Sequence, residues 1–249
     1  MNLGSKRKKR SIGADNALCL LKQILPYSRT NIYAERKYCF MKEQGCTLTS
    51  PLIKLKYGNT NTYLIGSLLV DTDMPGTLPA LWRELKKNDV SSKCIKYVFA
   101  THYHPDHIGL VGELMQNGVK LVLLEHQIEY AHSSDAIFAR DKHLPFVPID
   151  EKNSVIISAK NSRTFLAGIG IEGEIVVTKS HSPDGAALIL DDGNAFVGDL
   201  EPLEFLGGYE DNKALFEDWE TVFSHGVKTI HYGHANDQQI TIGTASDCI

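Results

Sequence analysis

The sequence predicts an α/β fold in which two β-sheets pack face to face and helices cover their outer faces. Short β-rich runs precede helical patterns in the first half of the chain, and the same order returns in the second half. The 249 residues, 43% of them hydrophobic, are enough to bury a substantial core. We therefore expect one globular unit.

Strands and helices alternate through the first half. Turn signals such as Gly58-Asn59 separate three β-rich runs, and Leu78, Leu81, Trp82 and Leu85 then recur at helical spacing. The predicted elements are strands at 52–57, 62–65 and 68–70, a helix at 77–87, a strand at 96–100, a helix at 108–116, a strand at 119–124 and a helix at 125–132.

The second half is richer in predicted strands. Its apolar runs are short and are bounded by glycine or polar residues, which favours strands over helices. The predicted elements are strands at 154–157, 163–167, 174–178, 186–190 and 194–197, a helix at 213–224 and a last strand at 227–231.

Charge and composition limit the classes of function. The net charge of −4 does not indicate the basic surface that nucleic-acid binding requires, so no nucleic-acid partner is expected. No apolar stretch approaches the roughly 20 residues of a membrane span. The five cysteines are odd in number and lack ligand-like spacing, which argues against a disulfide framework or a thiolate zinc site. These features favour a cytoplasmic protein without membrane contact.

The N-terminal region differs from the rest of the chain. Lys6 to Arg10 form a basic run, and no small-residue cleavage site follows the partly apolar stretch after it. We expect residues 1–45 to be a flexible extension and residues 46–249 to form the functional domain.

Three imidazoles and a carboxylate are crowded behind the predicted strand at 96–100, in the segment Thr101-His102-Tyr103-His104-Pro105-Asp106-His107-Ile108-Gly109. Histidines two apart in a loop can point toward one ion, and an adjacent Asp-His pair can supply ligands to a second ion. Solvated loop histidines are the alternative. The density of ligands within six positions favours a metal site.

This segment resembles the His-x-His-x-Asp-His signature of the metallo-β-lactamase superfamily, with every position matched. Later segments are similar to the family's other motifs, in its order: Leu69-Val70-Asp71-Thr72, Ser180-His181-Ser182-Pro183-Asp184-Gly185, Asn194 to Asp199, and Tyr232-Gly233-His234-Ala235. The resemblance covers about residues 52–235 and implies an αββα sandwich of two mixed sheets flanked by helices. Asp73 replaces the usual glycine after Asp-Thr, which puts the local turn in doubt. His231 competes with His234 for the last position, and the Gly-His context favours His234.

The resemblance also implies a dinuclear metal site in which Asp71 orients ligands. One ion is expected on His102, His104 and His181, the other on Asp106, His107 and His234, with Asp199 bridging them. Each ion keeps an open position, as in catalytic sites. A metal-bridging hydroxide would attack a carbonyl or phosphoryl centre, and Asp106 would also orient the nucleophile or pass on its proton. Zinc is expected, and iron, manganese or cobalt also suit these ligands.

We therefore predict an enzyme, a metal-dependent hydrolase that cleaves a small carbonyl ester: a lactone, a thioester or a carboxylic ester. Its partner would be a small-molecule substrate. The alternatives are a phosphodiesterase or nuclease, and β-lactam hydrolysis on the same site. Asp199 stands where one major class of true β-lactamases has cysteine, and a redox relative of the flavodiiron type would prefer glutamate in place of His104.

Overall fold

A computed structural model describes residues 52–240. The predicted extension over residues 1–45 lies outside the described residues, and so does the proposed domain boundary. Both stay predictions.

The first sheet contains six strands in sequential order, β1 to β6. Its strands are β1 (Leu52–Leu55), β2 (Thr62–Ile65), β3 (Leu68–Val70), β4 (Tyr97–Phe99), β5 (Lys120–Leu124) and β6 (Val155–Ile157). The first two pairings are antiparallel and the remaining three are parallel. The sheet is therefore mixed, and its parallel part needs crossover segments between strands.

The second sheet has five strands in the order β11-β10-β9-β8-β7. They are β7 (Gly173–Val177), β8 (Ala186–Leu190), β9 (Asn194–Gly198), β10 (Thr229–Tyr232) and β11 (Gln238–Gln239). Only the β9 and β10 pair is parallel among the described pairings of this sheet. The long connection between these two strands carries a helix.

Six α-helices are present in the described part of the chain. They are α1 (Leu78–Lys87), α2 (Pro105–Ile108), α3 (Val111–Gln116), α4 (Asp135–Phe138), α5 (Ser162–Gly168) and α6 (Lys213–Phe223). Shorter 3₁₀ turns lie at Ser92–Cys94, Glu125–Tyr130, Glu151–Asn153, Ala159–Asn161 and Leu203–Gly208. None of the helices in residues 52–240 is long and apolar enough to cross a membrane.

The layers follow from where alternate strand residues point. Phe99 of β4 packs with Phe196 of β9 in a cluster between the two sheets. Its neighbour Val98 faces the opposite side, where it packs with Leu81 of α1. On the far side of the second sheet, Trp219 of α6 is fully buried against the strands. The order helix, sheet, sheet, helix confirms the predicted αββα sandwich.

Several sequence-based expectations are wrong. Residues 163–167 belong to helix α5 and not to a strand, since a short apolar run alone does not separate the two. The predicted helix at 125–132 is a 3₁₀ turn, and the two-residue strand β11 was missed. Cys94 takes part in a disulfide, although the number and spacing of the cysteines argued against a disulfide framework. The cytoplasmic location stays a prediction.

Candidate metal centre

The candidate site lies at one edge of the sandwich, where strands of both sheets end. Parallel strands β3 and β4 end beside each other and lead into Asp71 and the histidine segment. Parallel strands β9 and β10 likewise lead into Asp199 and His234. Strand β8 runs antiparallel to β9, so the loop before it, which carries His181, reaches the same edge. A hydrogen bond of 2.8 Å from the Ala186 amide to the Thr101 carbonyl joins the two sheets there.

A short helix sets the spacing of the ligands in the first motif. His104 is extended, and Pro105 then begins α2 at the first helical position, where its missing amide costs nothing. This change of backbone separates the extended pair His102 and His104 from the helical pair Asp106 and His107. The two pairs can therefore contribute ligands to two different metal positions.

The first ligand group consists of His102, His104 and His181. His104 Nδ1 lies 3.0 Å from His102 Nε2 and 3.3 Å from His181 Nε2. One ligand atom from each residue lies within 4.8 Å of the others, which suits a single ion. His102 is buried and the other two are exposed, so the group opens toward solvent.

The second ligand group consists of Asp106, His107 and His234. His234 Nε2 lies 3.0 Å from Asp106 Oδ2, and one atom from each of the three again falls within 4.8 Å. His107 is buried at the base, while Asp106 is half-buried and His234 is exposed. This group, like the first, has a buried residue on one side and opens toward solvent on the other.

Asp199 lies between the two groups. Its Oδ2 is 3.9 Å from His102 Nε2, 3.8 Å from His181 Nε2 and 3.5 Å from His234 Nε2, and its Oδ1 is 3.3 Å from His107 Nε2. The structure thus brings all seven predicted ligands into one cluster around this carboxylate. Their roles as ligands stay predictions.

The cluster fits cations better than it fits hydrogen bonding. Within residues 52–240, both ring nitrogens of His107 and Oδ1 of Asp199 are buried, and although the His107 nitrogens lie 3.1 and 3.3 Å from the Asp71 and Asp199 carboxylates, none of these three atoms is in hydrogen-bonding geometry. Buried polar atoms normally have a hydrogen-bond partner, and several imidazole nitrogens facing a carboxylate match the ligand preference of zinc and similar divalent ions. The residues present therefore fit a pair of divalent ions.

The pKa values of the residues in the cluster are shifted in different directions. Burial lowers the pKa of His102 well below its usual value, and the neighbouring His107 and His104 add to the effect. Burial also acts on His107, but Asp71 and Asp199 outweigh it and raise the pKa of His107 to about 10. Burial would raise the pKa of Asp199, yet His107 holds it below its usual value.

Asp71 lies beneath the cluster, as its predicted orienting role requires. Its Oδ1 accepts a hydrogen bond of 2.7 Å from the Thr101 amide and its Oδ2 one of 2.9 Å from the Thr101 hydroxyl. The same Oδ2 lies 3.1 Å from His107 Nδ1. Asp71 has φ of +56°, a conformation that costs a non-glycine residue energy and that clusters at active sites.

Two glycines let the backbone approach the ligands. Gly198, immediately before Asp199, has φ of +59°, and a Cβ there would collide with the Thr101 side chain. A Cβ at Gly233 would come within 2.8 Å of His107 Cε1 and 2.5 Å of Asp199 Oδ1. The Gly-Asp and Gly-His contexts in the sequence therefore have steric causes.

His231 does not join the cluster. Its Nε2 lies 2.9 Å from Asn194 Oδ1, its Nδ1 lies 3.3 Å from Asp237 Oδ1, and its ring stacks on Phe196. The structure places His234, and not His231, beside Asp106 and Asp199, in the arrangement that the Gly-His context favours.

The sequence analysis missed three residues that hold the loops of the first ligand group. Asp184 accepts a hydrogen bond of 2.6 Å from the Tyr103 amide, between His102 and His104. Gln127 donates to the Asp184 carbonyl at 3.0 Å and to the Ala100 carbonyl at 3.2 Å. Asp218 of α6 accepts from the Lys179 and Ser180 amides at 2.9 and 2.7 Å, just before His181. Asp184 stands inside a recognised motif, whereas Gln127 and Asp218 carry no sequence signal.

A model of the metallo-β-lactamase superfamily matches residues 55–234, well over half of the chain and the whole span of the ligands. The chain belongs to the metallo-β-lactamase superfamily. Members of this superfamily are generally hydrolases.

Individual relatives are distant. The lactamase-like protein nscB of Aspergillus fumigatus is 29% identical over 168 residues, which are 61% of this chain and 43% of that protein. The thioesterase pkgB of Emericella nidulans is 27% identical over 147 residues, which are 56% of this chain and 35% of that protein. The chain thus aligns with less than half the length of either. Among solved structures, TTHA1623 in a di-iron-bound form is 21% identical and covers 76% of this chain and 93% of its own, with a TM-score of 0.53. That similarity shows the fold.

Proposed function

We propose that this superfamily member is a dinuclear metal-dependent hydrolase that cleaves a small carbonyl ester, the candidates being a lactone, a thioester and a carboxylic ester. The convergence of seven side chains into two ligand groups around Asp199 carries the proposal. His102, His104 and His181 would hold one ion, Asp106, His107 and His234 the other, and Asp199 both. Zinc is our first choice, with iron or manganese as alternatives.

Bound divalent ions would supply a Lewis acid that activates water near neutral pH and polarises the scissile carbonyl. The chain's own residues divide into a buried floor and an exposed rim. His102, His107 and Asp71 are buried and fix the floor of the site. His104, His181 and His234 are exposed, so substrate can approach the site from their side.

Asp106 is the residue best placed to handle a proton. Its side chain is partly exposed, and its Oδ2 lies at the open side, 3.0 Å from His234 Nε2. A carboxylate in this position can orient the attacking water, accept its proton and pass the proton to the leaving group. No serine or cysteine nucleophile is needed.

The name of a relative favours one substrate class for the first assays. The Emericella nidulans protein is called a thioesterase, and this supports thioesters within the broader ester class. The Aspergillus fumigatus protein is called lactamase-like, which keeps β-lactam hydrolysis as a second candidate. We propose a small-molecule substrate in either case.

The test combines metal analysis with a substrate panel. We expect about two ions per chain by elemental analysis, and hydrolysis of at least one lactone, thioester or carboxylic ester that stops on chelation and returns with zinc. A phosphodiester and a chromogenic cephalosporin complete the panel. His132→Ala is a matched control, because this half-exposed histidine pairs with Asp135 outside the cluster. Fewer than two ions, or turnover that survives chelation, would contradict the proposal.

A further inference from the structure

We propose that Thr60 and Asn61, which precede strand β2, position the second ligand group and set how tightly the second ion binds. We call this pair the Thr60–Asn61 bracket. The inference rests on the two-ion site of the proposed function. It concerns two residues that lie outside the recognised motifs and outside the two ligand groups.

Thr60 holds the backbone of Asp106. Its hydroxyl donates a hydrogen bond of 2.7 Å to the Asp106 carbonyl, across 46 positions of sequence, and Thr60 itself is buried. This bond holds the Asp106 end of the first turn of α2, while Thr72 holds the His107 carbonyl of the same turn through its amide at 3.0 Å and its hydroxyl at 2.9 Å. Removing the hydroxyl of Thr60 would loosen the Asp106 end of the turn and leave the partly buried Asp106 carbonyl without this donor.

Asp73 in turn holds Thr60. Its Oδ2 accepts from the Thr60 amide at 3.3 Å, and its Oδ1 accepts from the Met74 amide at 2.6 Å. The carboxylate fills the space where a side chain on Gly58 would stand, so the two positions depend on each other. Asp73 is the residue that departs from the family pattern, and the structure gives this departure a role in anchoring the bracket.

Asn61 holds the loop that carries His234 from both sides. Its amide nitrogen donates to the Gly233 carbonyl at 2.7 Å, and its side-chain Nδ2 donates to the carbonyls of Tyr232 at 2.9 Å and Ala235 at 3.0 Å. These three bonds straddle His234, whose own side chain is exposed. The exposed imidazole therefore gets its direction from Asn61.

The bracket serves one ligand group only. The described hydrogen bonds of Thr60 and Asn61 reach Asp73, the Asp106 backbone and residues 232–235, and none reaches the loops of His102, His104 or His181. Those loops are held by Asp184, Gln127 and Asp218. Disturbing the bracket should weaken the second ion and spare the first.

The test is a stepwise metal titration of the full chain with zinc, and with cobalt for its ligand-field spectrum. Loss of a residue that orients a ligand typically weakens metal binding 10- to 100-fold. We expect Thr60→Val to weaken the second ion on the order of 10-fold and to leave the first within about twofold. Thr60→Ser, which keeps the hydroxyl, should bind the second ion about as tightly as the wild type does. Asn61→Ala should repeat the loss through the His234 loop.

Thr62→Val is the matched control. Thr62, the first residue of β2, is as buried as Thr60, but its hydroxyl bonds to the Tyr57 hydroxyl and not to a ligand loop. Both ions should bind this variant as they bind the wild type. Full occupancy of the first ion also shows that a variant is folded.

The outcomes separate this inference from the proposed function. If the wild type takes up two ions and Thr60→Val and Asn61→Ala bind both as tightly, the bracket has no positioning role. Equal weakening of both ions, or the same loss in Thr62→Val, would overturn the inference as well. If the wild type itself takes up fewer than two ions, the proposed function fails and the inference fails with it.

Discussion

The half of the site formed by His102, His104 and His181 is held differently from the half formed by Asp106, His107 and His234. Hydrogen bonds from neighbouring loops and from α6 hold the first half, through Asp184, Gln127 and Asp218. The Thr60–Asn61 bracket and Thr72 hold the second half. One edge of the sandwich thus carries two ligand sets whose loops are held by different side chains, while Asp71 contacts both sets through Thr101 and His107.

The two halves also differ in charge. Burial and neighbouring histidines keep the pKa of His102 low, so this imidazole is neutral and ready to bind a cation. Asp71 and Asp199 instead raise the pKa of His107 to about 10, so this imidazole carries a proton at neutral pH in the metal-free protein. His102 can therefore bind an ion without losing a proton, while His107 must give up a proton first.

Loss of the shared carboxylate should have the largest effect and should erase the difference between the halves. We expect Asp199→Ala to weaken both ions and to lower turnover by more than about 100-fold, because even residues that only orient a ligand cost 10- to 100-fold. Metal content and kcat/KM measured together will show this. A variant that loses only one ion would mean that Asp199 belongs to one half and does not bridge them.

Asp106→Asn should separate catalysis from metal binding in the second half. With both ions supplied in excess, we expect occupancy to remain and kcat to fall at least about 100-fold, since proton transfer by a positioned group contributes this much or more. The check is kcat at saturating metal beside elemental analysis of the same sample. Full turnover with both ions bound would defeat the role of Asp106 as a proton carrier.

The pKa of His107 predicts that only the second ion depends strongly on pH. A pKa raised to about 10 means that the proton is held below that pH, so binding of the second ion should release about one proton between pH 7 and 9. Its affinity should rise up to about tenfold per pH unit in that range. The first ion should show little change, because burial also lowers the pKa of His181.

Calorimetric titration in two buffers of different ionisation enthalpy measures this proton release. A change in apparent binding enthalpy between the buffers is expected for the second ion and not for the first. Release of the proton with the first ion would reverse the predicted order of the two halves.

The sequence predicted a residue's role where that role depends on its neighbours along the chain. The spacing of His102, His104, Asp106 and His107 could be read directly, and Gly198 and Gly233 are fixed by close backbone approaches. The supports could not be read, because each acts across the fold: Thr60 reaches residue 106 and Asn61 reaches residue 235. A threonine, an asparagine or a glutamine on a buried strand or turn has no pattern of its own. The strand wrongly predicted at 163–167 has the same origin, since its helical state depends on packing.

Gln127→Met should have the smallest effect on metal affinity. It should weaken the first ion, whereas the bracket variants should weaken the second. Gln127 is fully buried, and its amide joins Ala100 and Asp184 around the first motif, so an isosteric apolar chain removes the bonds without a large cavity. Since a hydrogen bond contributes roughly 1 kcal/mol, the first ion should weaken about fivefold and the second should change little. Stepwise metal titration of both variants should therefore show weaker binding of the first ion in Gln127→Met and of the second ion in Thr60→Val. If both variants weaken the same ion, the two halves share one support and the comparison between them fails.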